Sequence, residues 1–465
     1  MSSFLIESQA SPPAGSVVEL SASDSQDNLT SPFNTGSQLG RKHANISSAT
    51  DVQEHFNVVA GVIKVHFERH SNVFDGNRFA KIKNLWDIME KESYRMRAIE
   101  IGGHFGTEDL PKSKYSAPLM EQLIIDGVLL KMPPRLDLFR KGNSPLQKLY
   151  IRNFDITWGS PLLRSSALVS LQLVSSDHYR PWDFRAPPTA TEFLDVFKSL
   201  PKLEQLVLTN MGLPTPNGMP RDHTLCQFPH MKTLELNGKL EEVGAVLGCF
   251  SIPPSAKLVL RCYVNYHQDD MVVPVAKRFR EALASGWLSA PLSTPSDKDS
   301  KQKQAIQALK LKGKVTTRKI IGLNVSRIKM SAWLAPVNIW GEDDSVPVPN
   351  LVIKIKHVYV QDSPVNANLS ILPLDNLQDM SLNFSDGDML EVMGNLPKLQ
   401  RLHLDSSVGS HFIEHLFSKL NQGQAMGYGN LEDIDVIVYS HDFHDGLTED
   451  NLDEEELEEE AFWVQ

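Results

Sequence analysis

The chain has little cysteine. Cys226, Cys249 and Cys262 are its three cysteines, an odd number with no C-x-x-C pair. That count argues against a disulfide framework and suits a reducing compartment. Long hydrophobic runs are missing too. No stretch approaches the roughly 18 apolar residues of a membrane span, and Phe4, Leu5 and Ile6 are followed by polar residues instead of a signal-peptide core. The expectation is a soluble intracellular protein, cytoplasmic and/or nuclear, with no membrane partner. Basic charge is not in excess: 46 bases stand against 57 acids, for a net charge of -11. Nine acids and no base lie between Glu449 and Glu460, and setting those nine aside leaves 46 bases against 48 acids. A body so near neutrality has no overall basic field, so nucleic acid is not an expected partner. Phosphate loops and nucleophile elbows are absent as well. The glycines Gly102, Gly103 and Gly106 match neither G-x-x-x-x-G-K-[ST] nor G-x-G-x-x-G and read as a turn needing positive φ, and G-x-S-x-G does not occur. No cofactor or metal is expected.

What the chain has is a repeat. Residues 199–208 read S-L-P-K-L-E-Q-L-V-L and residues 395–404 read N-L-P-K-L-Q-R-L-H-L. Both end in L-x-x-L-x-L, and looser copies recur at spacings of 22 to 35 residues. Strands are predicted at 58–67, 97–101, 119–125, 146–151, 168–173, 203–208, 231–236 and 256–260. A second set is predicted at 320–325, 351–355, 377–382, 399–404 and 431–436. Side chains alternate along a strand, so the leucines of each unit point to one side and the residues between them to the other. One unit cannot bury its own apolar face, but stacked parallel units cover each other. Helices are predicted at 77–95, from Thr191 with Phe193, Phe197 and Leu200 on one face, and from Asp386 with Met389, Leu390, Val392 and Met393. Pro201 and Pro397 stop the last two.

The expected organisation is a disordered segment at 1–55, a first half of the solenoid at 56–290, a basic loop or linker at 291–314, a second half at 315–440 and an acidic disordered tail at 441–465. A short helix is expected around Ile306 to Leu311. The lysines of 298–319 can grip phosphates or form an import signal, and as a solvated loop they can meet the acidic tail.

Two motifs bear on chemistry. His411, Glu414 and His415 form H-x-x-E-H, in which two histidines one turn apart bind zinc and the glutamate activates water. Their neighbours Phe412, Ile413, Leu416, Phe417 and Leu420 make an amphipathic helix with the histidines at its margin. His441, Asp442, His444 and Asp445 are four potential ligands at the start of the tail. The outward strand positions form a third constellation: Tyr150, Arg152, Gln172, Val207, Glu235, Val259, Arg261 and His403. Tyrosine and arginine carry protein–protein contacts, and a stacked sheet aligns such positions into one binding face.

The degenerate L-x-x-L-x-L units, the L-P-K-L joints at 200–203 and 396–399 and the lead-in Val62 to Arg69 resemble the leucine-rich region of fungal F-box-type proteins, over residues 56–440. The resemblance implies an irregular α/β leucine-rich-repeat solenoid, a horseshoe with a parallel sheet and helices or loops on its outer side. It also implies a non-enzymatic protein-binding role, substrate recognition for a cullin–RING ubiquitin ligase, and a Skp-type adaptor as partner. No F-box pattern is visible in residues 1–54. Phe154, Met211 and Lys239 stand where the repeat's consensus asparagine would, so its loops are expected to satisfy their backbone groups by other means. The alternatives are an enzyme on a doubly wound α/β fold, since strand–helix alternation serves both, a metal-dependent hydrolase using His411, Glu414 and His415, and a scaffold switched by its basic loop and acidic tail.

Overall fold

The computed structural model describes residues 18–21, 43–45, 62–67, 87, 91, 93–103, 117–127, 145–154, 156–175, 187–218, 226–264, 272–289, 304–318, 323–339, 346–359, 369–383, 393–422 and 430–436. The fold is mixed α/β, with a large, mostly parallel sheet and few helices. Contacts divide the chain into two units, Met1–Leu168 and Val169–Gln465.

The first unit holds β1 (Val18–Ser21), β2 (His43–Asn45), β3 (Val62–Phe67), β4 (Ala98–Gly103), β5 (Gln122–Gly127) and β6 (Lys148–Arg152). They pair in the order β2-β1-β3-β4-β5-β6, all parallel. β1 and β2 fall inside 1–55, which was expected to be disordered throughout. The run Val17, Val18, Glu19, Leu20 is a short β-forming segment amid polar residues, and it adds to the free side of β3.

The second unit holds β7 (Ser170–Val174), β8 (Gln205–Thr209), β9 (Cys226–Gln227), β10 (Thr233–Lys239), β11 (Phe250–Ser251) and β12 (Lys257–Val264). It continues with β13 (Ala308–Arg318), β14 (Leu323–Trp333), β15 (Leu351–Tyr359), β16 (Asp379–Asn383), β17 (Arg401–Leu404) and β18 (Asp433–Val436). The sheet order is β7-β8-β10-β12-β15-β14-β13-β16-β17-β18, while β9 and β11 pair separately. Among the described strands of this unit, β14 alone runs against its neighbours: it is antiparallel to β13 and to β15, and the remaining main-sheet pairs are parallel.

Residues 308–314 of the expected loop are therefore strand, and Ile306 to Leu311 is not helical. Ala308 to Arg318 is a strand, with Leu309 and Leu311 buried and Lys310 and Lys312 between them on the other side. The lysines suggested a solvated run. The deciding feature is the alternation of apolar and basic residues, a period of two that places all the charge on one side of a strand. Residues 291–303 lie outside the described residues.

The inward leucines are where the repeat puts them. Leu146, Leu149 and Ile151, then Leu168, Leu171 and Leu173, then Leu203, Leu206 and Leu208 are at most 1% exposed. At β5 the buried triplet is Met120, Leu123 and Ile125, while Leu119 is exposed, so that unit starts one residue later than its first leucine indicates.

The described residues include four α-helices: α1 (Ala190–Lys198), α2 (Leu240–Leu247), α3 (Val272–Leu283) and α4 (Ser406–Asn421). The cap of α1 is Thr189, not Thr191. The Thr189 hydroxyl accepts from the Glu192 amide at 3.2 Å while the Glu192 carboxylate accepts from the Thr189 amide at 3.1 Å. The reciprocal pair fixes the start two residues earlier, because only a residue three before a glutamate closes this box. The helix predicted from Asp386 and most of the one predicted at 77–95 lie outside the described residues; Met393, at the end of the former, is buried. On α1, Phe193 and Phe197, 4.6 Å apart, both meet Phe250, and Phe197 also meets Phe228, with ring centroids 5.3 to 6.3 Å apart.

The loops after β6 and β8 do use asparagine, one position before the consensus site. Asn153 (φ 61°) and Asn210 (φ 52°) are left-handed and buried. The Asn153 side chain donates to the Gly127 carbonyl at 2.7 Å, and the Asn210 side chain donates to the Ser175 carbonyl at 3.2 Å. Each ties its loop to that of the preceding repeat, and Phe154 and Met211 fill the core at the next position. Asparagine serves because it tolerates left-handed backbone and carries its own donor. Asn210→Ala is expected to lose about 2 kcal/mol through an unsatisfied buried carbonyl and a Cβ in a left-handed site. Asn210→Gly, which relieves the backbone, is expected to lose less; urea midpoints of the two variants check the order.

Candidate protein-binding face

The strand positions between the buried leucines are the candidate site, and backbone register decides which of them line up. In the second unit, one row of partners runs Gln172, Val207, Glu235, Val259, Val352, Ser331, Lys310, Ser381, His403, Asp435. Five of the sequence-selected residues (Gln172, Val207, Glu235, Val259 and His403) share this row, although they are up to 231 positions apart in the chain. Arg261 stands in the next row, opposite Lys354. Most members are half-buried, as an open strand face predicts; Ser381 is buried. Tyr150 and Arg152 belong to the first unit, where Tyr150 is opposite Ile124 and Arg152 opposite Asp126.

Polar contacts along these rows run across strands. The Arg261 Nε donates to Glu235 at 3.1 Å, and His403 Nδ1 lies 3.1 Å from the Asp435 carboxylate. Gln172 Nε2 donates to Gln205 Oε1 at 3.2 Å, and the Ser170 hydroxyl donates to the same oxygen at 3.0 Å. In the first unit, Arg152 and Asp126 are 3.9 Å apart. Burial, and after it the Asp126 carboxylate, push the Tyr150 phenol up from its ordinary value against the opposing effect of Arg152. Tyr150 therefore stays a neutral hydroxyl across the physiological range.

Sequence reasoning overlooked the basic members of this face: Lys310, Lys312, Arg327, Lys329, Lys354 and Lys356. Their signal was present as the alternations K-L-K-G-K, R-I-K-M and I-K-I-K on β13, β14 and β15. It also overlooked Asp379, which is 1% exposed on β16 and pairs with Arg401 directly across on β17. That pair raises the already high pKa of the Arg401 guanidinium, first through the hydrogen bond to Asp379.

The other motifs are placed as follows. On α4, His411 and Glu414 are exposed and His415 is half-buried. Phe412 is buried, but Ile413, Phe417 and Leu420 are exposed, contrary to the apolar face read from the sequence. The helix contacts β16 and β17, and Val408 and Phe412, one turn apart, are its buried stripe. Gly103, the last residue of β4, has φ 98°, the positive φ expected of this glycine run, while Gly102 is an ordinary strand residue and Gly106 lies outside the described residues. The cluster from His441 to Asp445 lies outside the described residues. Among the described residues no group of three or more His, Cys, Asp or Glu side chains is placed to hold a metal ion, and no helix is long and apolar enough to cross a membrane.

All three thiols are free and buried. Burial pushes Cys226 up to about 11 and Cys249 up to about 12, and it raises Cys262 as well. A buried protonated thiol is a poor nucleophile. A thiol-specific reagent at pH 8 is expected to leave all three unmodified in the native chain and to label all three in urea. At pH values well below about 8.5 both folded and unfolded thiols keep their protons. Above it the unfolded thiols ionise first, so native stability falls as pH rises toward the folded values. Urea midpoints at pH 8 and pH 10 check the sign.

No family model matches this chain, and neither a curated protein nor a solved structure is significantly similar to it.

Proposed function

We propose that this chain is a non-enzymatic protein-interaction module. In this reading it is an irregular leucine-rich-repeat solenoid, a horseshoe, whose polar sheet face holds another protein. The observation that carries the reading is the register row from Gln172 to Asp435: half-exposed side chains of mixed chemistry, in line across many strands, on a wall of fully buried leucines. Such a wall fixes its outward side chains without ordering cost at the moment of binding, which favours recognition. The likeness to the leucine-rich region of F-box-type proteins extends the proposal to substrate recognition for a cullin–RING ligase.

Two experiments test it. Chain purified from its native cell is expected to bring a protein partner that Val207→Arg and Val259→Arg variants fail to retain while melting at the wild-type temperature. Unchanged recovery with both variants would overturn the assignment of the face, and recovery without a Skp-type adaptor or a cullin would overturn the ligase extension. Small-angle scattering separates the horseshoe from the rival doubly wound enzyme: an arc is expected, and a compact particle would count for the rival.

A further inference from the structure

The three strands at the topological irregularity carry a charge pattern of their own. Lys310, Lys312, Lys314 and Arg318 on β13, Arg327 and Lys329 on β14, and Lys354 and Lys356 on β15 are eight bases, and the three strands contain no aspartate or glutamate. Register stacks them. Lys312 is opposite Lys329, Lys329 opposite Lys354, and Lys354 opposite Arg261. In the next row Lys314 is opposite Arg327, and Arg327 is opposite Lys356. Cationic residues directly opposite each other in a sheet repel, and an anionic neighbour lowers that cost, as Glu235 does for Arg261 at the end of the first row. The order β12-β15-β14-β13-β16 creates these rows by setting Lys312 against Lys329, 17 residues on, Lys329 against Lys354, 25 residues on, and Lys354 against Arg261, 93 residues back.

We propose that the occupant of these rows is the chain's own acidic segment, Glu449–Glu460. Charge complementarity is the first argument: nine acids and no base in that segment, eight bases and no acid on the three strands. Reach is the second. The last described strand, β18, ends at Val436 and stands four strands from β14, about 19 Å at the usual strand spacing. The twelve residues 437–448 span up to about 40 Å when extended. A tether of that length holds the acidic segment at a millimolar-range effective concentration beside the rows. Nucleic acid, the other polyanion, would have to displace a tethered segment from a body without a basic field. The inference is independent of whether the polar face also takes a protein partner.

Carbodiimide coupling of the full-length chain tests this, because it joins a carboxylate to an ammonium only when the two are in contact. Peptide mapping is expected to find links from Glu454–Glu460 to Lys310, Lys312, Lys329, Lys354 or Lys356, within single chains and lost at about 0.5 M salt, where screening acts within a few ångströms. Links from the tail mainly to lysines elsewhere, such as Lys202 or Lys257, would overturn the proposal, as would links found only in covalent dimers. In the full-length K312Q/K329Q/K354Q variant, a glutamate-specific protease is expected to cut the tail at least fivefold faster than in the parent. An unchanged rate in a variant that melts normally would count against the docking. If the variant does not fold, the link map of the parent chain decides.

Discussion

Phe250→Ala is expected to destabilise the second unit by about 3–5 kcal/mol, the largest loss from a single side chain here. Phe250 is fully buried on β11 and lies at the centre of an aromatic group: Phe193 at 6.2 Å, Phe197 at 5.3 Å and Phe228 at 4.9 Å, centroid to centroid. Two of these contacts are edge-to-face, a geometry that adds to simple burial. The backbone at Phe250 is also closely packed against the helical segment Ala284–Leu288. A Cβ on Gly286 would come within 2.5 Å of the Phe250 carbonyl and 2.7 Å of the Leu247 carbonyl. Phe250→Leu, which keeps most of the volume, is expected to lose less than half as much. Urea midpoints at constant slope measure both; equal losses for the two substitutions would show that the aromatic contacts contribute little.

Leu206→Ala is expected to cost about 2–5 kcal/mol, and Val207→Ala under about 1 kcal/mol. The two residues are adjacent on β8 and of similar size and chemistry. Leu206 is fully buried, between Leu171 on β7 and Leu234 on β10, whereas Val207 is half-buried between Gln172 and Glu235. The contrast isolates direction from composition. Every outward residue in the binding row owes its position to the same alternation, so comparable melting shifts for the two would remove the row itself.

The individual strands were legible in the sequence, and so was the side each residue takes. L-x-x-L-x-L carries both pieces of information locally: a period of two and a fixed apolar parity. Where the reading slipped, a local signal had been weighed wrongly. The Thr189–Glu192 box outranks the later Thr191, the start of the β5 unit is set by Met120 instead of Leu119, and the lysines of β13 hid the Leu309–Leu311 alternation. The asparagines one position before consensus were visible as letters, but their role depends on a carbonyl in the preceding repeat, 26 residues away for Asn153 and 35 for Asn210.

The sequence by itself determined the leucine-bearing strands and which of their side chains turn inward, though not β1, β2, β9, β11 or β13, because alternation and burial of leucine act within six residues. Tertiary structure alone decided the order β12-β15-β14-β13-β16, the single reversed strand, and with them the stacking of Lys312, Lys329, Lys354 and Arg261. Pairing between strands is a contest among many equally apolar edges, and its outcome depends on long-range closure that no local pattern encodes.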